Sequence, residues 1–313
     1  MVGHPAAPRA HSRHPKRLEE IGMVSFVELG RMGRLGNQLF QYAALKSLAL
    51  NKGYEVKIPD PSNCEWHEQP CLLGNFSLEC DYLNRADVET IRHAYYEPDI
   101  NRYDRNILNL PDNTNLSGFF QSTKYFEAHR GQIKREFTLK GDIENESKER
   151  LAQIKKDNKC EIVSLHLRRG DLTDGTTNDP VNYLGYQDNF DENSIFGRYL
   201  GLAKKVFENK KVKFLVFSGG SRSNNNNTSD IDWCKNKLIG DEYIFSEGNS
   251  ALQDFSLIKN CDHNITSHST TFGWWAAYLN EHKDKIVCAP EYYFLDDREL
   301  VREDFYPQDW RRI

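Results

Sequence analysis

The stretch SLHLRRGD (164–171) begins with the apolar character of a buried strand and ends in a concentration of charge. In an open parallel sheet, ligands bind beyond the carboxyl ends of the strands, so a strand that ends in this way brings its charged side chains to a cleft. Arginine holds phosphate through two parallel hydrogen bonds, and Gly170 allows the backbone to turn sharply. The stretch therefore predicts an anion site, with an interdomain cluster of salt bridges as the alternative. The side chains concerned are His166, Arg168, Arg169 and Asp171.

Segments typical of strands and helices alternate on both sides of this stretch. Before it, the sequence predicts a strand VSFVEL, a glycine-rich turn GRMGRLGN, a helix QLFQYAALKSLALNKG and a strand YEVKI, and later a strand followed by a helix in SGFFQSTKYFEAHRGQIKREF. After it, the predicted strands are VKFLVFS, EYIFS, HNITS and KIVCAP, separated by the predicted helices DIDWCKNKL, ALQDFSLIKN and TTFGWWAAYLNEH. The segment 59–104 is expected to be an irregular surface excursion, and 140–159 is polar and charged.

This alternation predicts an α/β fold with parallel sheets. We expect two Rossmann-like lobes that face a cleft, an N-terminal lobe (23–157) and a C-terminal lobe (158–313). Residues 1–22 show no apolar period and are expected to be a disordered leader or a remnant of expression. The low-complexity segment SRSNNNNTS (221–229) is expected to be a mobile loop.

The composition is that of a globular protein. The 313 residues, of which 12% are aromatic, can bury the core of one large domain or two ordinary ones. A net charge of −5 argues against a general nucleic-acid binder but permits a local basic pocket. No run of about 18 apolar residues occurs, so no transmembrane helix is expected. Seven cysteines without a CxxC pair do not favour zinc or dithiol redox chemistry.

Two helix starts are further candidates for anion binding. The turn GRMGRLGNQ (30–38) opens a helix whose free N–H groups and positive dipole end would face a ligand. It lacks the G-x-G-x-x-G and G-K-[ST] patterns of nucleotide-binding loops. The hydroxyls of 269–271 precede another helix, where they either cap its N–H groups or hold a phosphate. Trp274 and Trp275 in that helix are interpreted as core residues.

Six segments, in a fixed order between 24 and 287, carry a resemblance to a known family. They are GRLGNQLFQYA, GFFQSTKYF, HLRRGD, FLVFS with DIDWCK, ALQDFSLIKNCDHNI and STTFGWWAAYLN. The set resembles the α-1,2-fucosyltransferases of glycosyltransferase family 11, and the first and third segments are also similar to motifs of α-1,6- and protein O-fucosyltransferases. The resemblance implies a GT-B-like pair of lobes, a GDP-β-L-fucose donor, inversion to an α linkage, no obligatory metal and no cofactor.

The resemblance also implies roles for individual residues. Arg168 matches the family arginine that holds the β-phosphate of the donor, and helix-terminal hydroxyls and amides would share the charge of the departing GDP. Asp171 is the candidate base, with orientation of Arg168 or Arg169 as an equal alternative, and Asn37 would position the attacking hydroxyl. Arg34, Gly36 and Gln38 are assigned to the loop on the acceptor side. The donor-binding set is His166, Arg168, Arg169, Ser218, Asp230, Asp254, Ser269, Thr270, Thr271 and Phe272.

The chain departs from the family pattern after the strand that ends at Ser218. Family members commonly read FSDDIEWCK, whereas this chain reads FSGGSRSNNNNTSDIDWCK, so that Asp230 takes the place of the second family aspartate. Asp230 and Asp232 resemble a metal-binding DxD pair, but a helix N-cap explains them equally well. His263 and His268 show no ligand spacing and are taken as structural. We expect no metal site.

The sequence thus predicts transfer of fucose from GDP-fucose to the 2-hydroxyl of a terminal galactose in a glycan. Donor motifs do not read the acceptor, so α-1,6 or protein O-linked transfer stays open as an alternative. A non-catalytic glycan- or nucleotide-binding protein on the same scaffold is a second one. No nucleic-acid partner is expected. A cytoplasmic location of the bacterial or viral type, with or without peripheral membrane association, is favoured over the secretory pathway.

Overall fold

A computed structural model describes residues 21–172, 194–219, 228–291 and 304–313. The predicted leader up to residue 20 and residues 221–227 of the predicted loop lie outside the described residues, and the last two residues of that loop, 228 and 229, are helical. The first half contains β1 (Met23–Ser25), α1 (Leu35–Lys52), β2 (Glu55–Ile58), β3 (Glu65–Trp66), β4 (Gln69–Pro70), β5 (Asp81–Tyr82), α2 (Arg85–Thr90), β6 (His93–Tyr96), β7 (Thr114–Ser117), α3 (Arg130–Glu136) and α4 (Ile143–Asn158). The second half contains β8 (Glu161–Arg168), α5 (Ile195–Lys205), β9 (Val212–Gly219), α6 (Thr228–Lys237), β10 (Tyr243–Phe245), α7 (Ala251–Asn260), β11 (His263–Ile265), α8 (Phe272–Leu279), β12 (Val287–Ala289) and β13 (Arg311–Arg312).

The N-terminal sheet has the strand order β5-β2-β1-β7-β6, and all of its pairings are parallel. From β1 the chain runs outward through β2 to β5 on one side, and the strands that follow are added on the other side of β1. The order therefore reverses between β1 and β7, and a crevice opens outside their carboxyl ends, as in other open α/β sheets. Helix α1 leaves the sheet at this point and ends at Gly53, whose left-handed φ of 70° stops the helix.

The C-terminal sheet has the order β10-β9-β8-β11-β12-β13, again with parallel pairing throughout. Numbered along the chain this is 3-2-1-4-5-6, the Rossmann order. The reversal falls between β8 and β11. The end of β8 is the charged stretch at which the sequence predicts an anion site, so the topology places that charge at the ligand-binding edge of the sheet.

Helices α1 and α8 join the two sheets through a shared aromatic core. The ring of Phe40 on α1 lies 4.6 Å from Trp274 and 4.9 Å from Trp275 on α8, measured between centroids. Phe126, from the first half of the chain, stacks on Trp275 at 5.2 Å. All four side chains are fully buried, which confirms the interpretation of the tryptophan pair as core. Large buried aromatics of this kind contribute strongly to stability and fix the geometry between the sheets.

Several predicted elements of the first half were wrong in extent. The strand predicted over VSFVEL ends at Ser25, because the side chain of Asn115 accepts the N–H of Val27 at 2.8 Å and the chain turns away from the sheet. Helix α1 begins at Leu35, three residues earlier than expected. The strand expected in SGFFQ is β7, which ends at Ser117 and is followed by a loop.

The segments expected to be irregular contain regular structure. Within 59–104 lie the hairpin β3-β4 and both edge strands of the N-terminal sheet, β5 and β6. The polar segment 140–159 contains the whole of helix α4, which contacts the second half of the chain: Lys155 pairs with Asp262 at 2.6 Å and Glu144 pairs with Lys259 at 3.1 Å. The lobe boundary near residue 158 stays a prediction.

Candidate active site

The site lies where the two reversal points face each other. From the N-terminal sheet come the turn before α1 and the loop after β7. From the C-terminal sheet come the end of β8 and the turn between β11 and α8. Both helices present their N-termini here, and neither has an acidic residue in its first turn to occupy its free N–H groups. Two positive helix ends at one place favour the binding of an anion.

The starts of α1 and α8 touch each other, and Gly36 makes this possible. A Cβ atom on Gly36 would lie 2.4 Å from Oγ1 of Thr271 and 2.6 Å from the backbone nitrogen of Phe272. Atoms do not approach this closely, so any side chain at position 36 would force the helix starts apart. Gly36, predicted as a loop residue, is therefore a helical residue that sets the distance between the lobes.

Asp171 joins the two lobes electrostatically. Its Oδ2 lies 2.9 Å from Nη2 of Arg34, and its Oδ1 accepts a hydrogen bond from Nη2 of Arg168. Arg34 precedes α1, whereas Arg168 ends β8. One carboxylate thus contacts two guanidinium groups, one from each lobe. The side chain of Asp171 is 8% exposed, that of Arg34 is 28% exposed and that of Arg168 is 14% exposed, so both arginines are partly accessible to a ligand.

Arg168 is anchored at several further points. Its Nη1 donates to the carbonyl oxygens of Arg169 at 2.9 Å and Gly219 at 3.3 Å, and its backbone N–H donates to Oγ of Ser267 at 3.0 Å. Ser267 follows β11, so the contact bridges the two strands that flank the reversal point. The planar guanidinium is held in one orientation before any ligand arrives, which is the geometry that bidentate phosphate binding requires.

Arg169 faces a different set of partners. Its Nε donates to Oδ1 of Asp230 at 3.3 Å, and its guanidinium carbon lies 3.6 Å from the ring centroid of Trp233. Asp230 lies in the first turn of α6 and not before the helix, so the N-cap explanation of this residue was wrong. Both side chains of the ion pair are about one-tenth exposed. The pair fixes α6 against the end of β8.

His166 contacts the start of α8. Its Nδ1 lies 3.4 Å from Oγ1 of Thr270, which accepts the N–H of Gly273 at 3.2 Å and so caps the helix. A Cβ on Gly273 would lie 2.6 Å from the same Nδ1. Burial, reinforced by the charge of Arg168, lowers the pKa of His166 to about 3, so the ring is neutral at physiological pH. A direct contact with the donor stays a prediction.

Asn37 connects the two lobes through its side-chain oxygen. Oδ1 accepts from Nε2 of Gln121 at 2.9 Å and from Oγ1 of Thr271 at 3.2 Å. Gln38, the next residue, is directed into the protein: its Nε2 donates to the carbonyl of Gly33 at 2.9 Å and its Oε1 accepts from the thiol of Cys71 at 3.4 Å. Asn37 therefore lies at the cleft, and Gln38 holds the glycine-rich turn from behind.

The remaining predicted donor residues have partners of their own, and their contact with the donor stays a prediction. The hydroxyl of Ser218 donates to the carbonyl of Leu167 at 3.0 Å and is buried between β9 and β8. Asp254, in the first turn of α7, accepts from Ser246 at 2.8 Å and from Asn249 at 2.9 Å, and burial raises its pKa to about 6. Ser269 adopts a left-handed φ of 51°, which turns the chain into the start of α8. Phe272 lies 5.7 Å from His166, ring to ring.

The residues considered for metal binding are dispersed. Asp232 is mainly exposed and lies 3.6 Å from Lys235, whereas Asp230 pairs with Arg169. His263 and His268 are buried in the C-terminal lobe, and burial lowers the pKa of both, that of His268 to about 3. Within the described ranges, no three His, Cys, Asp or Glu side chains form a group that could hold a metal ion. In the same ranges, no helix is long and apolar enough to cross a membrane.

Sequence reasoning missed three residues that build the site. Gln121 orients Asn37, Ser267 anchors the backbone of Arg168, and Trp233 covers Arg169. Gln121 and Trp233 fall within segments that carry the family resemblance, GFFQSTKYF and DIDWCK, which is the signal that could have identified them. Ser267 is the last residue of the predicted strand HNITS and gives no such signal.

Two α/β lobes with parallel sheets that face each other form the GT-B fold of glycosyltransferases. A crystal structure of a mutant of Arabidopsis thaliana FUT1 in complex with GDP has the same fold, with a TM-score of 0.51, 11% identity, and coverage of 88% of this chain and 71% of that one. The sequence matches Glycosyl transferase family 11 over residues 6–313, and the chain belongs to that family.

Two relatives illustrate the family. An Alpha-1,2-colitosyltransferase from Escherichia coli is 28% identical over 316 residues, which cover 93% of this chain and 99% of the relative. A Galactoside alpha-(1,2)-fucosyltransferase 2 from Bos taurus is also 28% identical, over 287 residues that cover 88% of this chain and 74% of the relative. The similarity to both extends through both lobes. The residues of the site are therefore interpreted as those of a member of a glycosyltransferase family.

Proposed function

We propose that the protein transfers L-fucose from GDP-β-L-fucose to the 2-hydroxyl of a terminal galactose in a glycan, with inversion to an α linkage. The observation that carries the donor assignment is the oriented pair of Arg168 and Arg34 around Asp171, between two helix N-termini. Such a cluster suits a diphosphate that gains charge as it departs. The name of the bovine relative supports the galactoside acceptor and the 1,2 linkage.

In this mechanism the C-terminal lobe binds the departing group. Arg168, held in one orientation by its carbonyl partners, donates to the β-phosphate, and the N–H groups at the start of α8 supply further positive potential. Arg34 reaches the same place from the other lobe. These groups are oriented before the reaction, so little reorganisation is needed as charge develops on GDP.

The attacking hydroxyl needs a base or a polar partner within about 3 Å. Asp171 is the carboxylate that contacts Arg168, and we retain it as the candidate base. Because Arg168 and Arg34 occupy one oxygen each, the carboxylate can accept a proton only through a lone pair that these arginines leave free. Orientation of the two arginines is therefore the competing role of Asp171.

A second donor sugar has a specific observation in its favour. The relative from Escherichia coli, matched over almost its whole length, is named for colitose and not for fucose. We therefore consider colitosyl transfer as the alternative for this chain. The sequence also left open α-1,6 or protein O-linked transfer and a non-catalytic role. The experiment described next tests these alternatives as well.

The test is incubation of the purified protein with lactose and GDP-fucose, and in parallel with activated colitose. NMR of the product assigns the sugar and its linkage. We expect fucose on the 2-hydroxyl of galactose. A different linkage would replace the proposed regiochemistry, transfer of colitose alone would replace the donor, and no transfer or donor hydrolysis with any acceptor would support a binding protein.

We further propose that transfer needs no divalent metal. The positive groups at the site, Arg168, Arg34 and the helix ends, can neutralise the diphosphate. We expect the transfer rate to be unchanged by EDTA. Loss of activity in EDTA with recovery on addition of Mn²⁺ or Mg²⁺ would contradict the proposal. It would instead favour Asp230 and Asp232 as metal ligands.

A further inference from the structure

The side chain of Asn37 is held in one orientation by two donors. Oδ1 accepts from Gln121 and from Thr271, one from each lobe, which uses both lone pairs of the amide oxygen. The amide nitrogen Nδ2 lies on the side of Gly33, where a Cβ atom would come within 2.4 Å of it. Asn37 is half-buried, whereas both of its neighbours in α1 are buried. Both lone pairs of the oxygen are used within the protein, so the N–H is the group of this amide that Asn37 can offer to a ligand.

The loop that supplies Gln121 is built with unusual backbone conformations. Gly118 has a φ of 151°, and Phe120 has a left-handed φ of 52° although it is a bulky residue. A positive φ is costly for a side chain as large as that of Phe120, and it persists where the surroundings enforce it, often at functional sites. Here Oε2 of Glu97 accepts the N–H groups of both Phe119 and Phe120, at 2.7 and 3.0 Å.

The same loop is also fixed from the side of α1 and from the core. Nε2 of Gln41 donates to the carbonyl oxygens of Gly118 and Met32, each at 3.1 Å, and so ties this loop to the turn before α1. The ring of Phe120 is fully buried and packs edge-on against Tyr125 at 5.2 Å. These contacts fix the loop, so the side-chain amide of Gln121 is held in place against Asn37. Gln121 itself is only 6% exposed.

We propose that Gln121 is a positioning residue that fixes the amide of Asn37 so that its Nδ2–H donates to the oxygen of the attacking acceptor hydroxyl. This inference rests on the proposed transferase function. Donation to one lone pair of that oxygen orients the hydroxyl and leaves its proton free to leave towards the base. A hydroxyl held in this way approaches the donor in a reactive geometry. Asn37 is then a donor to the acceptor and not a base.

Two substitutions separate orientation from donation. Asn37→Asp keeps an oxygen that accepts from Gln121 and Thr271 but removes the N–H donor, so transfer should fall steeply. Gln121→Ala removes the support of Asn37, and we expect kcat to fall by about 10- to 100-fold, as for other small misplacements at reacting centres. GDP affinity should change much less than kcat in Gln121→Ala, because Gln121 acts on Asn37 whereas the diphosphate is proposed to bind at Arg168. Gln153→Glu, on the exposed face of α4, is the matched control.

A double-mutant cycle distinguishes positioning from general support of the fold. Gln121 acts through Asn37, so Gln121→Ala should have no further effect on kcat in an Asn37→Ala background. Effects that multiply, or a parallel loss of GDP affinity and thermal stability in Gln121→Ala, would overturn the inference. So would an unchanged kcat in Gln121→Ala.

A readout independent of turnover keeps this test apart from that of the proposed function. In ¹⁵N-labelled protein, the side-chain amide signal of Asn37 is identified by its loss in Asn37→Asp. We expect this signal to shift in Gln121→Ala and to stay in place in Gln153→Glu. A wild-type protein that transfers no sugar would remove the proposed function, whereas an Asn37 signal unmoved by Gln121→Ala would remove the positioning role itself.

Discussion

Arg168 is held by partners that a lysine could not keep. Its guanidinium contacts Asp171 and two carbonyl oxygens at once, and an ammonium group has neither the planar shape nor the reach to do so. We expect Arg168→Lys to lose nearly all transfer while the protein stays folded, since removal of one oriented transition-state donor costs about 3 to 4 kcal/mol. Steady-state rates with circular dichroism measure both. An Arg168→Lys variant with most of its rate intact would exclude the bidentate phosphate contact.

Asp171 is the residue at which two roles compete. Asp171→Asn keeps the shape but removes the negative charge that pairs with Arg168 and Arg34. If Asp171 is the base, the chemical rate should fall severely while GDP affinity changes only a few-fold. A parallel collapse of rate and GDP affinity would instead assign Asp171 to the support of the arginines. Single-turnover rates and calorimetric titration of GDP separate the two cases.

At the scale of elements, the contact between the starts of α1 and α8 depends on a missing side chain. Gly36→Ala would place a Cβ against the backbone of Thr271 and Phe272, which cannot yield as a flexible side chain could. Overpacking costs about 1–3 kcal/mol, more than the ~1 kcal/mol that alanine gains in a helix. We expect lower thermal stability and a lower transfer rate. Gly201→Ala, in α5 with open space around it, is the matched control and should not lose stability.

The elements that were predictable are those whose sequence pattern matches their burial. Strand β8 is an apolar run with six buried residues, and α1 is buried over most of its length. Helix α4 was missed because only Ser147 and Leu151 of its sixteen residues are buried, which leaves almost no apolar period to detect. The strands β5 and β6 were missed for the same reason, since no residue in either of them is buried.

The site was predictable only in part because its key contacts join distant positions. The charge at the end of β8 is visible in the sequence, and so is the glycine-rich turn before α1. The ion pair between Arg34 and Asp171 connects them, and these two residues are 137 positions apart in the sequence. The pair depends on how the lobes pack against each other, and no local sequence pattern encodes that packing. Gln121 meets Asn37 across 84 residues for the same reason.

At the scale of the whole molecule, we expect the two lobes to contribute unequally to ligand binding. In the C-terminal lobe, whose sheet has the Rossmann order, the end of β8 supplies Arg168. The start of α8 supplies a turn in which Thr270 accepts the N–H of Gly273. The N-terminal lobe reaches the same centre through Arg34 and Asn37. A nucleotide should therefore act mainly on the C-terminal lobe and more weakly on the first turn of α1.

Hydrogen exchange with GDP tests this division, because a ligand stabilises the state and the segments that it contacts. We expect the strongest protection at 166–172 and 266–275, and weaker protection at 33–38, where α1 touches α8. GMP lacks the β-phosphate that Arg168 is proposed to bind, so it should protect 166–172 less than GDP does at equal saturation. Protection confined to 24–57 would contradict the assignment of the donor to the C-terminal lobe. Equal protection of 166–172 by GMP and GDP would leave the lobe assignment intact but would remove the β-phosphate from the partners of Arg168, so the two claims fail separately.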